Sequence, residues 1–118
     1  MRLHQSRSLI LSLFLAALAF LAFYSQHSNA QEFGFAPVQG QILDGRTGRP
    51  APGLMVSLVH PVLGRSAPAY TGPNGQFGWG AIPIRPEQYF LEVYWGPKLI
   101  FRQPLMVRGY VLLPPLRL

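Results

Sequence analysis

Tyr89-Phe90-Leu91-Glu92-Val93-Tyr94-Trp95 is the stretch on which the fold turns. Tyr89, Leu91 and Val93 fall on one side of an extended chain and Phe90, Glu92 and Tyr94 on the other, which is the two-residue period of a β-strand. Aromatic and β-branched residues crowd it, as a pleated, half-buried surface favours. It is the candidate for a central strand. Downstream, Gly96-Pro97 reverses the chain into Lys98 to Gln103, Leu105-Met106-Val107 continues or restarts that strand, and Tyr110 to Leu113 closes the domain ahead of Pro114-Pro115.

Upstream, Gln76 to Ile82 carries Phe77 and Trp79 on one face, after the tight-turn signature Thr71-Gly72-Pro73-Asn74-Gly75. A short segment around Ala67 to Tyr70 leads into that turn. Leu54, Val56 and Leu58 alternate with Met55, Ser57 and Val59 ahead of Pro61, and Val38-Gln39-Gly40-Gln41-Ile42 alternates ahead of the turn Asp44 to Gly48. These short strands between turn residues predict an all-β fold, a seven-stranded antiparallel sandwich. No window keeps a helical period, and the frequent prolines would break one.

Residues 1–30 stand apart. Arg2, His4 and Arg7 precede an apolar run from Leu9 to Tyr24, and a polar stretch ends at Ser28-Asn29-Ala30. That order is expected of a secretory signal peptide, with Ser28 and Ala30 in the peptidase subsites and Gln31 as the first mature residue. The alternative is a permanent anchor, but the 16-residue run rises only about 24 Å as a helix against a hydrocarbon core of roughly 30 Å. The expected product is exported, periplasmic or extracellular, and touches a membrane only through the uncleaved segment. The layout is then an N-terminal arm over 31–35, the sandwich over 36–113 and a C-terminal tail over 114–118.

Cleavage would leave 88 of the 118 residues and eight cations against four acids, a net charge of +4. Those cations are scattered singly, which excludes the clustered signature of a nucleic-acid surface. All 12 Gly and 12 Pro lie in the 88, close to the ~25–30 % at which disorder becomes the expectation, but the alternating apolar runs between them make them punctuation. With no Cys there is neither a disulfide nor a thiolate metal site, so self-association or partner contacts are expected to add stability.

Taken together, Val38-Gln39-Gly40-Gln41-Ile42-Leu43-Asp44, Thr47-Gly48, Pro50, Pro52-Gly53, Val56-Ser57-Leu58, Thr71, Gly75-Gln76-Phe77 and Tyr89-Phe90-Leu91-Glu92-Val93 resemble the carboxypeptidase regulatory-like domain. The resemblance spans roughly residues 36–108 and implies a prealbumin-like, or transthyretin-like, sandwich, mostly found as a non-catalytic accessory module. Gly72 stands where that family usually has an acid, and Trp95-Gly96-Pro97 replaces its Gly-aromatic pair. The same fold includes the hydroxyisourate hydrolases, which the resemblance associates with several histidines, an arginine and a terminal Tyr-Arg-Gly-Ser. Val107-Arg108-Gly109-Tyr110 echoes only the Arg-Gly, so that activity is not expected.

Past residue 30 the chain has one histidine, His60, and four acids, Glu32, Asp44, Glu87 and Glu92. Ser57 or Ser66 with His60 and Asp44 would make a nucleophilic triad only with a positioning motif, and none is present. The acids are dispersed over different strands, so no metal or cofactor is expected. Glu92 is expected to face outward, opposite Arg102 or Lys98, in an exposed pair contributing about 0–1 kcal/mol. Phe90, Tyr94 and Trp95, with Tyr70, form the candidate ligand surface unless the arm with Phe33 and Phe35 or Leu112 to Leu118 folds over them. The expected function is a non-catalytic binding or scaffold module of the envelope engaging a protein partner, with a carbohydrate-binding module as the alternative and a small hydrolase as the least favoured reading.

Overall fold

The computed structural model describes residues 33–118, which run through nine strand segments: β1 (Phe35–Leu43), β2 (Met55–His60), β3 (Gly64–Arg65), β4 (Ala69–Tyr70), β5 (Gln76–Pro83), β6 (Tyr89–Trp95), β7 (Lys98–Leu105), β8 (Val111–Leu112) and β9 (Leu116–Arg117). Residues 1–32, which include the expected signal segment 1–30 and the cleavage site at Ser28, Ala30 and Gln31, lie outside the described residues.

One sheet runs β5-β1-β8, with β9 also on β1; the other runs β3-β2-β6-β7, with β4 also on β2. Because β3 and β4 share one edge of β2, and β8 and β9 both pair with β1, the nine segments occupy seven strand positions. The all-β sandwich expected from the alternation is therefore what forms. Its ladders are antiparallel except at β8 and β9, which run parallel to β1.

The alternation at 89–95 becomes two faces, as expected. Tyr89, Leu91 and Val93 are buried in the core with Val56 and Leu58 from β2 and with Ala36, Val38, Ile42, Phe77 and Ile82 from the facing sheet. Gly40 points into this core as well, and a Cβ there would lie 2.5 Å from Phe77 Cζ, so the missing side chain makes room for the ring. Gly75 closes the turn into β5 at φ 72°, and its carbonyl accepts a 2.8 Å hydrogen bond from Ile42 N–H. Thr71, buried beside that turn, accepts a 2.8 Å hydrogen bond from Leu54 N–H on Oγ1.

Both ends of the described chain depart from the expected layout. Phe35, placed in an arm, is the first residue of β1 and pairs with Pro83. The stretch expected as a tail contains β9, where Ile42 pairs with Leu116 and Leu43 with Arg117. Leu118 N–H donates to Leu43 C=O at 3.0 Å and Gly45 N–H donates to Leu118 C=O at 2.6 Å. Pro114-Pro115 interrupts the ladder without ending it, because a strand can resume where a donor is again available.

Candidate functional site

On β1 the outward positions next to β5 are Gln39 and Gln41, and their partners across the ladder are Gly78 and Gln76. Gly80 is also exposed on β5, with nothing within 4 Å of where its Cβ would be. β8 brings Leu112 directly opposite Gln39. The result is a groove of about 720 Å³, floored by the two glycines, edged by the three glutamines, and closed by Leu112 and Pro115 on one side and Trp79 and Tyr70 on the other.

Part of the groove's polar equipment is already engaged. Gln41 Nε2 donates to Asn74 C=O at 2.9 Å, and Tyr110 O–H donates to Gln39 Oε1 at 3.3 Å. These contacts orient both carboxamides and leave Gln41 Oε1 to accept and Gln39 Nε2 to donate. Trp79, read on one face with the buried Phe77, is itself half-buried: its ring meets Phe77 edge-on at 5.8 Å, and Nε1 donates to Ala67 C=O at 2.7 Å. The groove lining contains no Asp, Glu, His, Lys or Arg.

The four aromatic residues singled out in the sequence differ in exposure and engagement, although Met55 pairs with both Tyr70 and Tyr94 and so puts those two on one row of the sheet. Tyr70 is 62 % exposed and edges the groove. Tyr94 lies opposite Met55 and is half-buried because its hydroxyl donates to Glu92 Oε1 at 2.7 Å. Phe90 is half-buried beneath the Arg102 guanidinium, 4.0 Å from its ring centroid. Trp95 stands at the β6–β7 hairpin, 66 % exposed. Phe35 and Leu112 do not cover this face, since they sit in strands of the other sheet.

Glu92 faces outward opposite Arg102, as expected, yet is only 8 % exposed. Arg65 reaches it from β3 with an Nη1–Oε1 distance of 2.9 Å, and Arg102 Nε lies 3.4 Å from Oε2. The Tyr94 hydroxyl first, then the two guanidinium groups, hold this carboxyl below its ordinary value of 4.5, against the opposing effect of burial. The simple exposed pair is therefore corrected to a buried carboxylate shared by three side chains.

His60 is buried at the end of β2, with its ring 4.7 Å from that of Tyr89. Its Nδ1 accepts hydrogen bonds from Val62 N–H and Leu63 N–H, both at 3.1 Å, which puts the neutral ring's proton on Nε2, facing Glu87 Oε2 at 3.8 Å. Arg85 beside Glu87 holds that carboxyl below its ordinary value. The triad residues stay apart: Ser57 faces out opposite Glu92, Ser66 Oγ accepts from Leu58 N–H, and Asp44 accepts from Arg46 and Thr47 N–H in its own turn. Among the described residues no three His, Asp or Glu side chains converge as metal ligands.

Gln39, Gln41, Gln76, Gly78 and Gly80 were not singled out from the sequence. The available signal was their alternation, since amides hold outward places on β1 and Gln76, Gly78 and Gly80 those of β5, but only the strand register places them together.

No family model and no curated protein sequence matches the chain. Among solved structures, the chain is similar to the 5-hydroxyisourate hydrolase of Klebsiella pneumoniae, at 24 % identity and a TM-score of 0.52, over 68 % of this chain and 86 % of that one. The likeness shows a transthyretin-like, prealbumin-type fold; identity this low carries no activity across. It also corrects the expectation of a non-catalytic binding or scaffold module engaging a protein partner or glycan. That expectation leaned on the sandwich being an accessory fold, and the same sandwich carries a hydrolase.

Proposed function

We propose that the protein receives a small, uncharged, hydrogen-bonding molecule in the groove over β1, β5 and β8. One observation carries this reading: three carboxamides surround a glycine floor in a lining that holds no formal charge. An ionic ligand would lose hydration there with no opposite charge in return, whereas hydroxyl or amide groups can exchange water for Gln41 Oε1, Gln39 Nε2 and the Gln76 amide. The bare floor lets a flat molecule approach the strands closely, with Trp79 and Tyr70 against its apolar side.

The order of basic, apolar and small residues in 1–30 supports an exported form of this protein. Within the transthyretin-like fold, the motif order from Val38 to Val93 supports a relationship to carboxypeptidase regulatory-like domains.

The test is a chemical-shift titration with neutral sugars and cyclic amides, each beside a carboxylated or phosphorylated counterpart. Neutral compounds should shift the Gln39, Gln41 and Gln76 side-chain amides and, at one hundred times Kd, add about 2.7 kcal/mol of stability. Gly80→Val has room for its side chain and should block binding while the fold persists. Preference for the charged counterparts, or unchanged binding by Gly80→Val, would refute the assignment.

A further inference from the structure

The tip of the β6–β7 hairpin is not built as a solvated turn. Trp95, Leu99 and Ile100 are 66 %, 43 % and 41 % exposed within a single hairpin. The ladder pairs Val93 with Phe101 and Tyr94 with Leu99, so Ile100 has no partner across the strands. Three large apolar side chains are thus presented around Gly96-Pro97.

Cations stand at the tip and just behind it. Lys98 pairs with Trp95, and Arg102 lies opposite Glu92, about 10 Å along the strand from the tip. Arg65 reaches the same row from β3. Among the strands of this sheet Glu92 is the only carboxylate, and it is buried beneath both arginines. Each guanidinium is half-exposed and contacts Glu92 through one nitrogen, so each keeps further N–H donors. An incoming surface therefore meets an apolar tip carrying an indole and an ammonium group, then a row of guanidinium groups, with no free negative charge among them.

We propose that this hairpin docks on an anionic lipid surface, with Trp95, Leu99 and Ile100 entering the interface and Lys98, Arg102 and Arg65 against the headgroup phosphates. The layering matches the chemistry of a bilayer boundary. An indole settles at headgroup depth, aliphatic side chains reach the acyl boundary, and cations gain from the negative surface potential within a Debye length. The chemistry is distinct from that of the uncharged groove on the other sheet. Loss of Lys98 should weaken partitioning about fivefold, and loss of the Trp95 ring about tenfold or more.

The chain has two tryptophans, Trp79 and Trp95, and neither lies in residues 1–30. The full-length Trp79→Phe protein therefore reports the hairpin alone, whatever the N-terminal segment does. Mixed with phosphatidylglycerol–phosphatidylcholine vesicles carrying brominated acyl chains, its emission should shift to the blue and be quenched. On phosphatidylcholine alone it should stay unquenched, and Lys98→Glu should release the hairpin from the anionic vesicles. Should Trp79→Phe fold poorly, the native chain is compared with Trp95→Phe, which should lose the quenchable component. Three results would overturn the proposal: an unquenched Trp95 on a chain that sediments with the vesicles, equal quenching on neutral lipid, or a lipid-free, concentration-dependent blue shift abolished by Ile100→Ser. The last would assign the tip to contact with a second copy.

Discussion

Replacing Glu92 by Gln keeps the outline of the side chain and removes its charge, which isolates the electrostatics of the outer face of β6. Read as an exposed pair, the residue would contribute about 0–1 kcal/mol. The structure supports a larger value, because the carboxylate is 8 % exposed and accepts from Tyr94 at 2.7 Å and from Arg65 at 2.9 Å. A hydrogen bond to a charged group is worth about 1.5–3 kcal/mol; both bonds end on Oε1, so a glutamine carbonyl there keeps them only in weaker, uncharged form while its amide nitrogen takes the Oε2 place that faces Arg102. The guanidinium groups left behind are half in water, so the loss stays below the roughly 3–5 kcal/mol of a broken, fully buried pair. The expected destabilisation at neutral pH is about 2 kcal/mol.

The pH dependence follows from the direction of the shift. Tyr94, Arg65 and Arg102 hold the folded carboxyl below its ordinary 4.5, so its contribution is complete above 4.5 and is lost as pH falls through the folded value. Below that point native Glu92 is neutral, as Gln is, and the two proteins should converge. Urea unfolding of both at neutral pH and at successively lower pH below 4.5 follows the gap as it closes. A neutral-pH gap under about 0.5 kcal/mol, or one that persists unchanged in acid, would refute a buried, charge-stabilised Glu92.

Thr71→Val should cost about 1–2 kcal/mol in urea unfolding, because it deprives the buried Leu54 N–H of its Oγ1 acceptor while keeping the side-chain shape. Thr71→Ser should recover most of that loss. Ending the chain after Leu113 removes β9 and should cost about 3 kcal/mol, with faster hydrogen exchange at Gly45 N–H, whose acceptor is Leu118 C=O. Unchanged exchange at Gly45 would mean that the segment does not hold β1.

The strand at 89–95 was legible because its period of two maps directly onto two faces, and the core on its inner side follows without further information. The burial of Glu92 was not. Alternation assigns it to the outside, and only Arg65, 27 residues away on another strand, shows that the outside is roofed over. The C-terminal strand was hidden for a related reason. Pro114-Pro115 looks like an ending, while the parallel register of Leu116 with Ile42 spans a sequence separation that leaves no local trace.

The same limit applies to the two outer faces, which the alternation could not tell apart. On β6 and β7 the outward side chains are long enough to lie down on one another: the Arg102 guanidinium sits 4.0 Å from the Phe90 ring centroid and that of Arg65 5.7 Å from the Tyr94 centroid, and this layer covers Ser57 to 1 % exposure. On β5 the outward places are Gln76, Gly78 and Gly80, and the two glycines have nothing to lay across the strand. One face therefore closes over its own polar groups and the other stays open as a groove, from a single difference in side-chain length. A valine at Gly80 would begin to give the open face a cover like that of the closed one, which makes that substitution the direct test of whether the groove, and not the aromatic row read from the sequence, receives the ligand.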